Sequence, residues 1–272
     1  PGILARVVHR IDPAHAGHAP MSRPAATVTR RPTISVVVPA RNEFACLPVL
    51  VAEITAALDQ LCQDPACSHP IDDYEIILID DGSTDDTPAV LNELAARYGA
   101  LRPMRLRTNR GQSTAIVAGV RAARGDWIAM LDADLQNPPA ELVKLWEALP
   151  GFDAALGWRV RREDHWSRRL VSRWANRIRN RVLGQSVRDT GCSLRLVPRD
   201  VALRLPWFRG VHRFFGPLLM REGCRIVQVP VRHRPRSHGR THYSFRNRSL
   251  NVIVDLLGVA WLLRRPVRYE IE

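Results

Sequence analysis

Three short apolar runs, each followed closely by polar residues, restrict this chain to a small set of folds. Residues 34–38, 75–79 and 127–131 are rich in aliphatic side chains, which is typical of buried strands. Between them, apolar residues recur at helical spacing over 47–61, and small residues predict another helix over 113–123. Strands that alternate with helices in this way predict βαβ units and a mostly parallel sheet flanked by helices, an α/β fold.

The polar residues fall where the predicted strands end, which is where parallel sheets bind their ligands. The first strand is followed by Arg41 and Glu43, and the second ends in Asp80 and Asp81. These carboxylates could accept hydrogen bonds from a nucleobase or from ribose hydroxyls, although Asp, Gly and Ser also form ordinary turns. No GxGxxG pattern follows the first strand, which argues against a dinucleotide-dependent dehydrogenase.

The third strand is followed by Asp132, Asp134 and Gln136, three oxygen-bearing side chains separated by single residues. In an extended segment this spacing places all three on one side, where they could bind Mg²⁺ or Mn²⁺. A divalent cation there could act as a Lewis acid on a departing diphosphate. The alternative is a solvated turn that precedes a helix, because a DxD pattern alone is short.

In the order in which they occur, these motifs resemble the family-2 glycosyltransferases of the GT-A type. The segments that carry the resemblance are VVVPARNE at 36–43, IDDGSTD at 79–85, NRG at 109–111 and LDADLQNPP at 131–139. Four later segments are similar to the polyprenyl-phosphate branch, which includes dolichol-phosphate mannose synthase. They are GWR at 157–159, RxxxS at 168–172, DTGC at 189–192 and RSHGRTHY at 236–243.

The resemblance implies an inverting enzyme that transfers a sugar from a nucleotide-sugar donor to a polyprenyl phosphate with Mg²⁺ or Mn²⁺. The implied metal ligands are Asp132, Asp134 and Gln136. The implied donor site consists of Pro39, Arg41, Glu43, Asp80, Asp81, Asn109, Gly111 and Asp132. The implied acceptor-phosphate site consists of Arg159, Arg168 and Ser172. The residues implied in catalysis are Asp134, Asp189, Arg236 and His242.

Two positions depart from the family pattern. Arg41 stands where the family usually has an aromatic residue, so a guanidinium would replace base stacking or no stacking would occur. His242 stands where the family has a lysine, which leaves open whether a cation is present there at neutral pH. With Arg236, the residue at position 242 would clamp the donor phosphates.

The charge of the chain implies anionic partners. The formal net charge is +13, and nine arginines lie within residues 159–181. Trp166, Leu170, Trp174 and Ile178 recur there every four residues, which predicts a basic amphipathic helix. Such a helix could lie on an anionic membrane or shape an acceptor site, or it could present the stripe to the core.

The two ends of the chain differ in composition from the part between them. We predict a loosely ordered tail or peripheral arm over 1–32, a transferase domain over 33–239 and a membrane-associating segment over 240–272. Residues 250–263 are almost wholly apolar, but as a helix they would span about 21 Å, short of the roughly 30 Å hydrocarbon core. We therefore expect an interfacial helix and a peripheral or monotopic protein on the cytoplasmic face of the membrane.

Two other functions explain part of the sequence. The first is a family-2 transferase that acts on a protein or a soluble glycan. The second is a basic nucleic-acid-binding module, which would explain the charge but not the aspartates at successive strand ends. We therefore expect no nucleic-acid partner, and a homo-oligomer is left open.

Overall fold

The computed structural model describes residues 9–11, 30–65, 67–160, 177–184, 186–235 and 248–265. The strands are β1 (His9–Ile11), β2 (Ile34–Ala40), β3 (Tyr74–Asp80), β4 (Leu101–Arg105), β5 (Trp127–Met130), β6 (Ala154–Arg159), β7 (Arg195–Pro198) and β8 (Ile226–Val231). The helices are α1 (Leu47–Gln63), α2 (Thr87–Arg97), α3 (Gln112–Ala122), α4 (Glu141–Glu147), α5 (Arg199–Arg204), α6 (Phe215–Arg221) and α7 (Arg248–Leu263). Residues 177–183 are also helical.

The strands form a single sheet in the order β1-β8-β6-β7-β5-β2-β3-β4. β2 is parallel to β3 and β5, β3 is parallel to β4, and β6 is parallel to β8. β7 is antiparallel to both β5 and β6, and β1 is antiparallel to β8. All strands except β1 and β7 therefore run in the same direction, which confirms the predicted mostly parallel sheet.

Alternate residues of the central strands pack into two cores, one on each face of the sheet. Val36 and Ile76 face the core that includes α1 and α4, whereas Val37 and Ile77 face the core that includes α3 and α6. α3 lies close to the sheet at Gly119, where an added Cβ would be 2.5 Å from Val37 Cγ1. The strands therefore read as continuous apolar runs because both of their faces are buried.

Some elements differ from the prediction or lie outside the described part of the chain. Arg159 ends strand β6 and so is not part of a helix that reaches residue 181. Of the predicted apolar stripe, Ile178 is described and is exposed. The other members lie outside the described residues, and they are Trp166, Leu170 and Trp174.

The C-terminal helix α7 packs against the domain with one face and exposes the other. Val259 and Ala260 are buried in the core that includes α6. Four apolar side chains of α7 are more than half exposed, namely Ile253, Val254, Leu257 and Trp261. Across the described ranges, every helix falls short of the length and apolar character that a membrane span requires.

Candidate active site

Hydrogen bonds join the loops that follow β2 and β3. Ser83 Oγ accepts the backbone N–H of Asn42 at 2.9 Å, and Asn42 Oδ1 accepts the backbone N–H of Thr84 at 2.9 Å. Asn42 has a φ of 55°, a left-handed conformation that asparagine adopts more readily than most residues. The first two motifs therefore form one surface, on which Arg41 is exposed and Glu43 is half-buried.

Asp80 ends β3 with its side chain fully buried. Its Oδ1 accepts the backbone N–H of Ser83 at 2.8 Å, and its Oδ2 lies 3.2 Å from Nε of Arg105. The Arg105 side chain is mostly exposed, so the ion pair connects the buried carboxylate to the solvent-facing surface. Asp80 thus fixes the turn after β3 and places a negative charge beneath the surface predicted to bind the nucleotide.

Asp81 connects the second motif to the third. Its two carboxylate oxygens accept the backbone N–H groups of Arg110 at 2.7 Å and Gly111 at 2.8 Å. The two loops are in close contact, because a Cβ added to Gly82 would lie 2.6 Å from the backbone nitrogen of Asn109. These two N–H groups, just before α3, therefore bind Asp81 rather than a phosphate.

Gln112, the first residue of α3, connects the third motif to the fourth. Its Nε2 donates to Oδ1 of Asp132 at 2.7 Å. The backbone N–H of Asp132 donates to Oγ of Ser193 at 3.2 Å, and Asn137 Nδ2 donates to the same oxygen at 2.8 Å. Direct contacts thus link motifs separated by up to about 60 residues into a single site.

The backbone of the predicted metal motif is not a strand. β5 ends at Met130, and Leu135 has a φ of 60°, which is uncommon for a residue other than glycine. The extended geometry predicted for Asp132, Asp134 and Gln136 is therefore wrong, and the segment forms a tight loop. Within it, Asp134 Oδ1 accepts the backbone N–H of Gln136 at 3.2 Å. A left-handed leucine at such a position is the kind of local strain that functional sites retain.

The chemistry of Asp132 and Asp134 fits a divalent cation. Burial, and then the nearby charge of Asp134, raises the pKa of Asp132 to about 6. A cation bound between the carboxylates would remove this repulsion. Among the described residues, no three His, Cys, Asp or Glu side chains are grouped to hold a metal by themselves. Two carboxylates are nevertheless sufficient for Mg²⁺, which usually keeps waters and binds substrate phosphates.

A cavity of about 310 Å³ opens beside Asp132 at this edge of the sheet. Pro39 lines it from β2. Its charged and polar lining includes Gln112, Asp132, Arg179, Arg195, His212 and Arg213. The cavity therefore has Asp132 of the metal motif on one wall and several cationic groups around it, an arrangement suited to ligands with more than one phosphate.

Arg195 is a buried member of this lining. Its Nη2 donates to the carbonyl oxygens of Cys192 at 2.9 Å and His212 at 2.5 Å. The guanidinium carbon lies 4.5 Å from the centre of the Phe215 ring, within the range of a cation–π contact. Arg195 thus connects the segment before β7 to the turn before α6 and fixes a positive charge near Asp132.

Arg159 and Asp189 are brought into direct contact. The guanidinium donates from Nε to Oδ2 of Asp189 at 2.7 Å and from Nη2 to Oδ1 at 3.0 Å. The roles assigned to these residues, acceptor-phosphate binding for Arg159 and catalysis for Asp189, remain predictions. Four further predicted residues lie outside the described part of the chain, namely Arg168, Ser172, Arg236 and His242.

The segment that leads to Arg236 starts next to the metal motif. The backbone N–H of Arg234 donates to the carbonyl oxygen of Gln136 at 2.8 Å. Arg234 Nη1 also donates to both carboxylate oxygens of Glu53 at 2.9 Å. Arg234 therefore holds the chain against the Asp132–Gln136 loop. It lies two residues before Arg236, the first residue of the predicted phosphate clamp.

Sequence reasoning missed several residues of the cavity. They are Gln112, Arg179, Arg195, His212 and Arg213, and Ser113, which contacts His212, was also missed. Gln112 and Ser113 directly follow the NRG motif, so their position at the start of a helix was a usable signal. Arg179 belongs to the arginine-rich stretch over 159–181, which we predicted as a helix that could shape an acceptor site. Arg195, His212 and Arg213 belong to no motif that we identified, and they reach the cavity only through the tertiary fold.

Known sequences match most of this chain. A model of the glycosyl transferase family 2 domain matches residues 35–205. An undecaprenyl-phosphate 4-deoxy-4-formamido-L-arabinose transferase of Aeromonas hydrophila is 37% identical over 237 residues, which is 86% of this chain and 69% of that protein. The transferase of the same name from Enterobacter sp. (strain 638) is 36% identical over the same shares of the two chains.

Solved structures show the same fold at lower identity. Glucosyl-3-phosphoglycerate synthase from Mycobacterium tuberculosis, in complex with Mn²⁺, UDP and phosphoglyceric acid, has a TM-score of 0.64 and 24% identity. The match covers 84% of this chain and 78% of that one. Mannosyltransferase PcManGT from Pyrobaculum calidifontis, in complex with GDP-Man and Mn²⁺, has a TM-score of 0.59 and 22% identity. That match covers 88% of this chain, which spans 66% of the mannosyltransferase.

Proposed function

The chain belongs to glycosyl transferase family 2, and we propose that it transfers a sugar from a nucleotide-sugar donor to a polyprenyl phosphate with inversion at the anomeric carbon. The sequence relatives, named as undecaprenyl-phosphate sugar transferases, support this acceptor. Their names also suggest the first sugar to test, 4-deoxy-4-formamido-L-arabinose. The product would be a lipid-linked sugar phosphate.

One observation carries this proposal: the cavity has Asp132 at one side, next to the charge of Asp134, and guanidinium groups around it. Asp132 lines the cavity, and its pKa is raised first by burial and then by the adjacent charge of Asp134. Arg179 and Arg213 line the same space. A metal-bound diphosphate suits the carboxylates, and a second, metal-free phosphate suits the arginines. A sugar transfer between two phosphate-bearing substrates requires both kinds of site.

We assign the donor to the surface formed by the first four motifs. Asp132, Asp134 and Gln136 would hold Mg²⁺ or Mn²⁺, which would stabilise the departing nucleoside diphosphate as a Lewis acid. The nucleotide would lie on Pro39, Arg41, Glu43, Asp80, Asp81, Asn109 and Gly111. Asp81 would act there indirectly, because its carboxylate holds the backbone of Gly111. Arg236 and His242 would close over the donor phosphates from the segment after β8.

The acceptor is already an anionic nucleophile, so the protein needs to align it rather than to remove a proton. Alignment of two bound reactants can supply a large part of a rate enhancement. We assign the acceptor phosphate to Arg159, Arg168 and Ser172, with Asp189 orienting Arg159 through its two-point ion pair. Attack from the side opposite to the leaving diphosphate is a single displacement and therefore inverts the anomeric carbon.

We further propose that the protein binds the cytoplasmic face of the membrane peripherally through residues 240–272. The exposed apolar side chains of α7 and the following Arg264 and Arg265 support this assignment. The Arg265 guanidinium lies 5.5 Å from the centre of the Trp261 ring, a pairing that suits the border between lipid and water. Residues 1–32 would be a peripheral arm, from which β1 pairs with β8.

The experiment that tests the function uses purified protein, anionic liposomes with undecaprenyl phosphate, and a panel of radiolabelled nucleotide sugars. We expect label to become extractable into organic solvent for one donor, in a reaction that requires Mg²⁺ or Mn²⁺. Asp134→Asn should abolish it, because the substitution removes a metal-binding charge at constant size. Asp200→Asn, an exposed aspartate on α5, is the matched control and should retain full activity.

Three results would contradict parts of the proposal. Label that appears only in a water-soluble glycan or protein would favour a family-2 transferase with a non-lipid acceptor. Retention of the donor's anomeric configuration in the product, measured by NMR coupling constants, would exclude a single displacement. Full activity of Asp134→Asn in the presence of a chelator would remove the metal assignment.

A further inference from the structure

The turn that carries His212 and Arg213 into the cavity is fixed to helix α3. Gly210 precedes it with a φ of 100°, a left-handed conformation that favours glycine, and a single 3-10 turn follows. Oγ of Ser113 accepts the backbone N–H of Gly210 at 3.0 Å and lies 3.1 Å from Nδ1 of His212. Ser113 therefore contacts both the start of the turn, at Gly210, and the His212 side chain that the turn carries.

A second support comes from the C-terminal helix. Oδ2 of Asp255 in α7 lies 3.9 Å from Nη1 of Arg213, and both side chains are mostly buried, at 22% and 23% exposed. The same oxygen would lie 2.6 Å from a Cβ added to Gly210. The absence of a side chain at Gly210 thus allows the Asp255 carboxylate to approach the turn. The ion pair joins α7, whose outer face is apolar and exposed, to the lining of the cavity.

Arg179 brings a second guanidinium to the same region. It donates to Oγ1 of Thr190 and lines the cavity together with Arg213. Burial, and then the charge of Arg213, lowers the pKa of Arg179, whereas the charge of Asp189 opposes this shift. Asp189 already binds Arg159 at two points. The folded protein therefore holds like charges close together at a position where an anion would stabilise them.

We infer that Arg213, together with Arg179, binds the phosphate monoester of the acceptor, and that Asp255 is a positioning residue that holds Arg213 in place for it. This inference rests on the proposed function and adds residues to its acceptor site. The donor diphosphate would bind at the other side of the cavity, next to Asp132 and the metal motif. Two guanidinium groups suit a phosphate that carries no metal. Each planar guanidinium can donate charge-assisted hydrogen bonds to the phosphate oxygens.

The test compares Asp255→Asn and Arg213→Gln with the matched control Asp200→Asn, in which an aspartate that pairs with the exposed Arg204 loses the same charge. Titration calorimetry of each protein uses two probes, geranyl phosphate without metal and UDP with Mn²⁺. We expect Arg213→Gln to weaken geranyl phosphate binding by about tenfold or more. Asp255→Asn should weaken it by about three- to tenfold, because it acts through Arg213. Binding of UDP with Mn²⁺ should be unchanged in both.

A merely structural role for Asp255 would lower the melting temperature and the binding of both probes together. We therefore also measure KM for each substrate, and we expect the acceptor KM to rise in Asp255→Asn while the donor KM stays constant. Gly210→Ala keeps every charge but displaces the Asp255 carboxylate, so it should shift the acceptor KM in the same direction. If either substitution at 210 or 255 prevents folding, Arg213→Gln alone decides the phosphate assignment.

Loss of UDP binding instead of geranyl phosphate binding would assign the arginines to the donor diphosphate and overturn the inference. Equal binding of geranyl phosphate by all variants would also overturn it. Failure of the proposed function gives a different pattern. In that case the wild-type protein forms no lipid-linked product with any donor, while geranyl phosphate still binds in a manner that depends on Arg213.

Discussion

Arg159 and Asp189 are joined by two parallel hydrogen bonds, from Nε to Oδ2 at 2.7 Å and from Nη2 to Oδ1 at 3.0 Å. Their side chains are only 14% and 10% exposed. The pair ties the end of β6 to the segment that leads into β7.

The first prediction concerns this pair. Asp189→Asn keeps the shape of the side chain but leaves the Arg159 guanidinium without its anionic partner. We expect the free energy of unfolding, measured with urea, to fall by about 2 kcal/mol. Asp200→Asn breaks an ion pair whose side chains are nearly half exposed, and it should cost less than about 1 kcal/mol. Equal losses in the two variants would show that the Arg159–Asp189 pair behaves as a surface pair.

The second prediction concerns Asp81, whose two oxygens hold the backbone before α3. Asp81→Ala leaves the N–H groups of Arg110 and Gly111 without an acceptor in a partly buried loop. We expect a loss of about 2–4 kcal/mol in the free energy of unfolding and a higher KM for the nucleotide sugar. The matched control is Asp86→Ala, because the Asp86 side chain is exposed and makes no capping hydrogen bond to α2. A change of KM without loss of stability would show that Asp81 contacts the donor directly.

The parts of the fold that surround the motifs could be predicted because their signals are local. β2, β3 and β5 are continuous apolar runs, and α1 repeats its buried positions at helical spacing. β7 was missed, because its four residues carry no periodicity of their own. What makes it a strand is its antiparallel pairing with β5 and β6, which brings together residues far apart in the sequence. Such pairing cannot be inferred from spacing within one segment.

The candidate site could likewise be predicted only in part from the sequence. The motifs at the strand ends predicted which polar groups meet, since adjacent parallel strands end at one edge of the sheet. The motifs did not predict how those groups are used, such as Asp81 binding backbone N–H groups or Arg159 binding Asp189. The contact between Ser113 and His212 joins residues 99 positions apart. Only the packing of α3 against the turn before α6 creates it.

The third prediction concerns the exposed apolar face of α7. Leu257 is 61% exposed and lies one helical turn before Trp261 on the same face. Replacing it with glutamine removes a side chain that would enter the lipid, so we expect flotation with anionic liposomes to fall several-fold while the melting temperature stays within about 2 °C. The control is Leu203→Gln, which makes the same change at an exposed leucine of α5. If both substitutions reduce flotation equally, the binding surface is not specific to α7.

Flotation of the unaltered protein tests the electrostatic part of the same hypothesis. We expect binding to increase with the fraction of anionic lipid and to weaken as salt is added, because screening shortens the reach of the arginine charges. Binding that responds to Leu257→Gln but not to salt would mean that the apolar face of α7 binds the membrane without an electrostatic contribution from the arginines of residues 159–181. Binding that responds to neither would contradict the membrane assignment of residues 240–272.

The last prediction uses the pKa of Asp132, which burial and the charge of Asp134 raise from 3.8 to about 6. In the metal-free protein, this group contributes stability that is present below about pH 4 and is lost as the pH rises through about 6. A divalent cation binds the ionised carboxylates and therefore opposes that loss at neutral pH. We expect Mn²⁺ to raise the melting temperature strongly at pH 7.5 and little at pH 5.

Asp132→Asn separates this explanation from a general effect of the metal. The variant lacks the titrating carboxyl, so its metal-free stability should change less between pH 5 and pH 7.5, and Mn²⁺ should add little at either pH. Asp200→Asn should behave like the unaltered protein, because its site lies on the exposed surface of α5. An equal effect of Mn²⁺ at pH 5 and pH 7.5 would mean that its binding does not require ionisation of Asp132. The cation would then have to bind elsewhere, since a protonated carboxyl is a poor ligand for Mn²⁺.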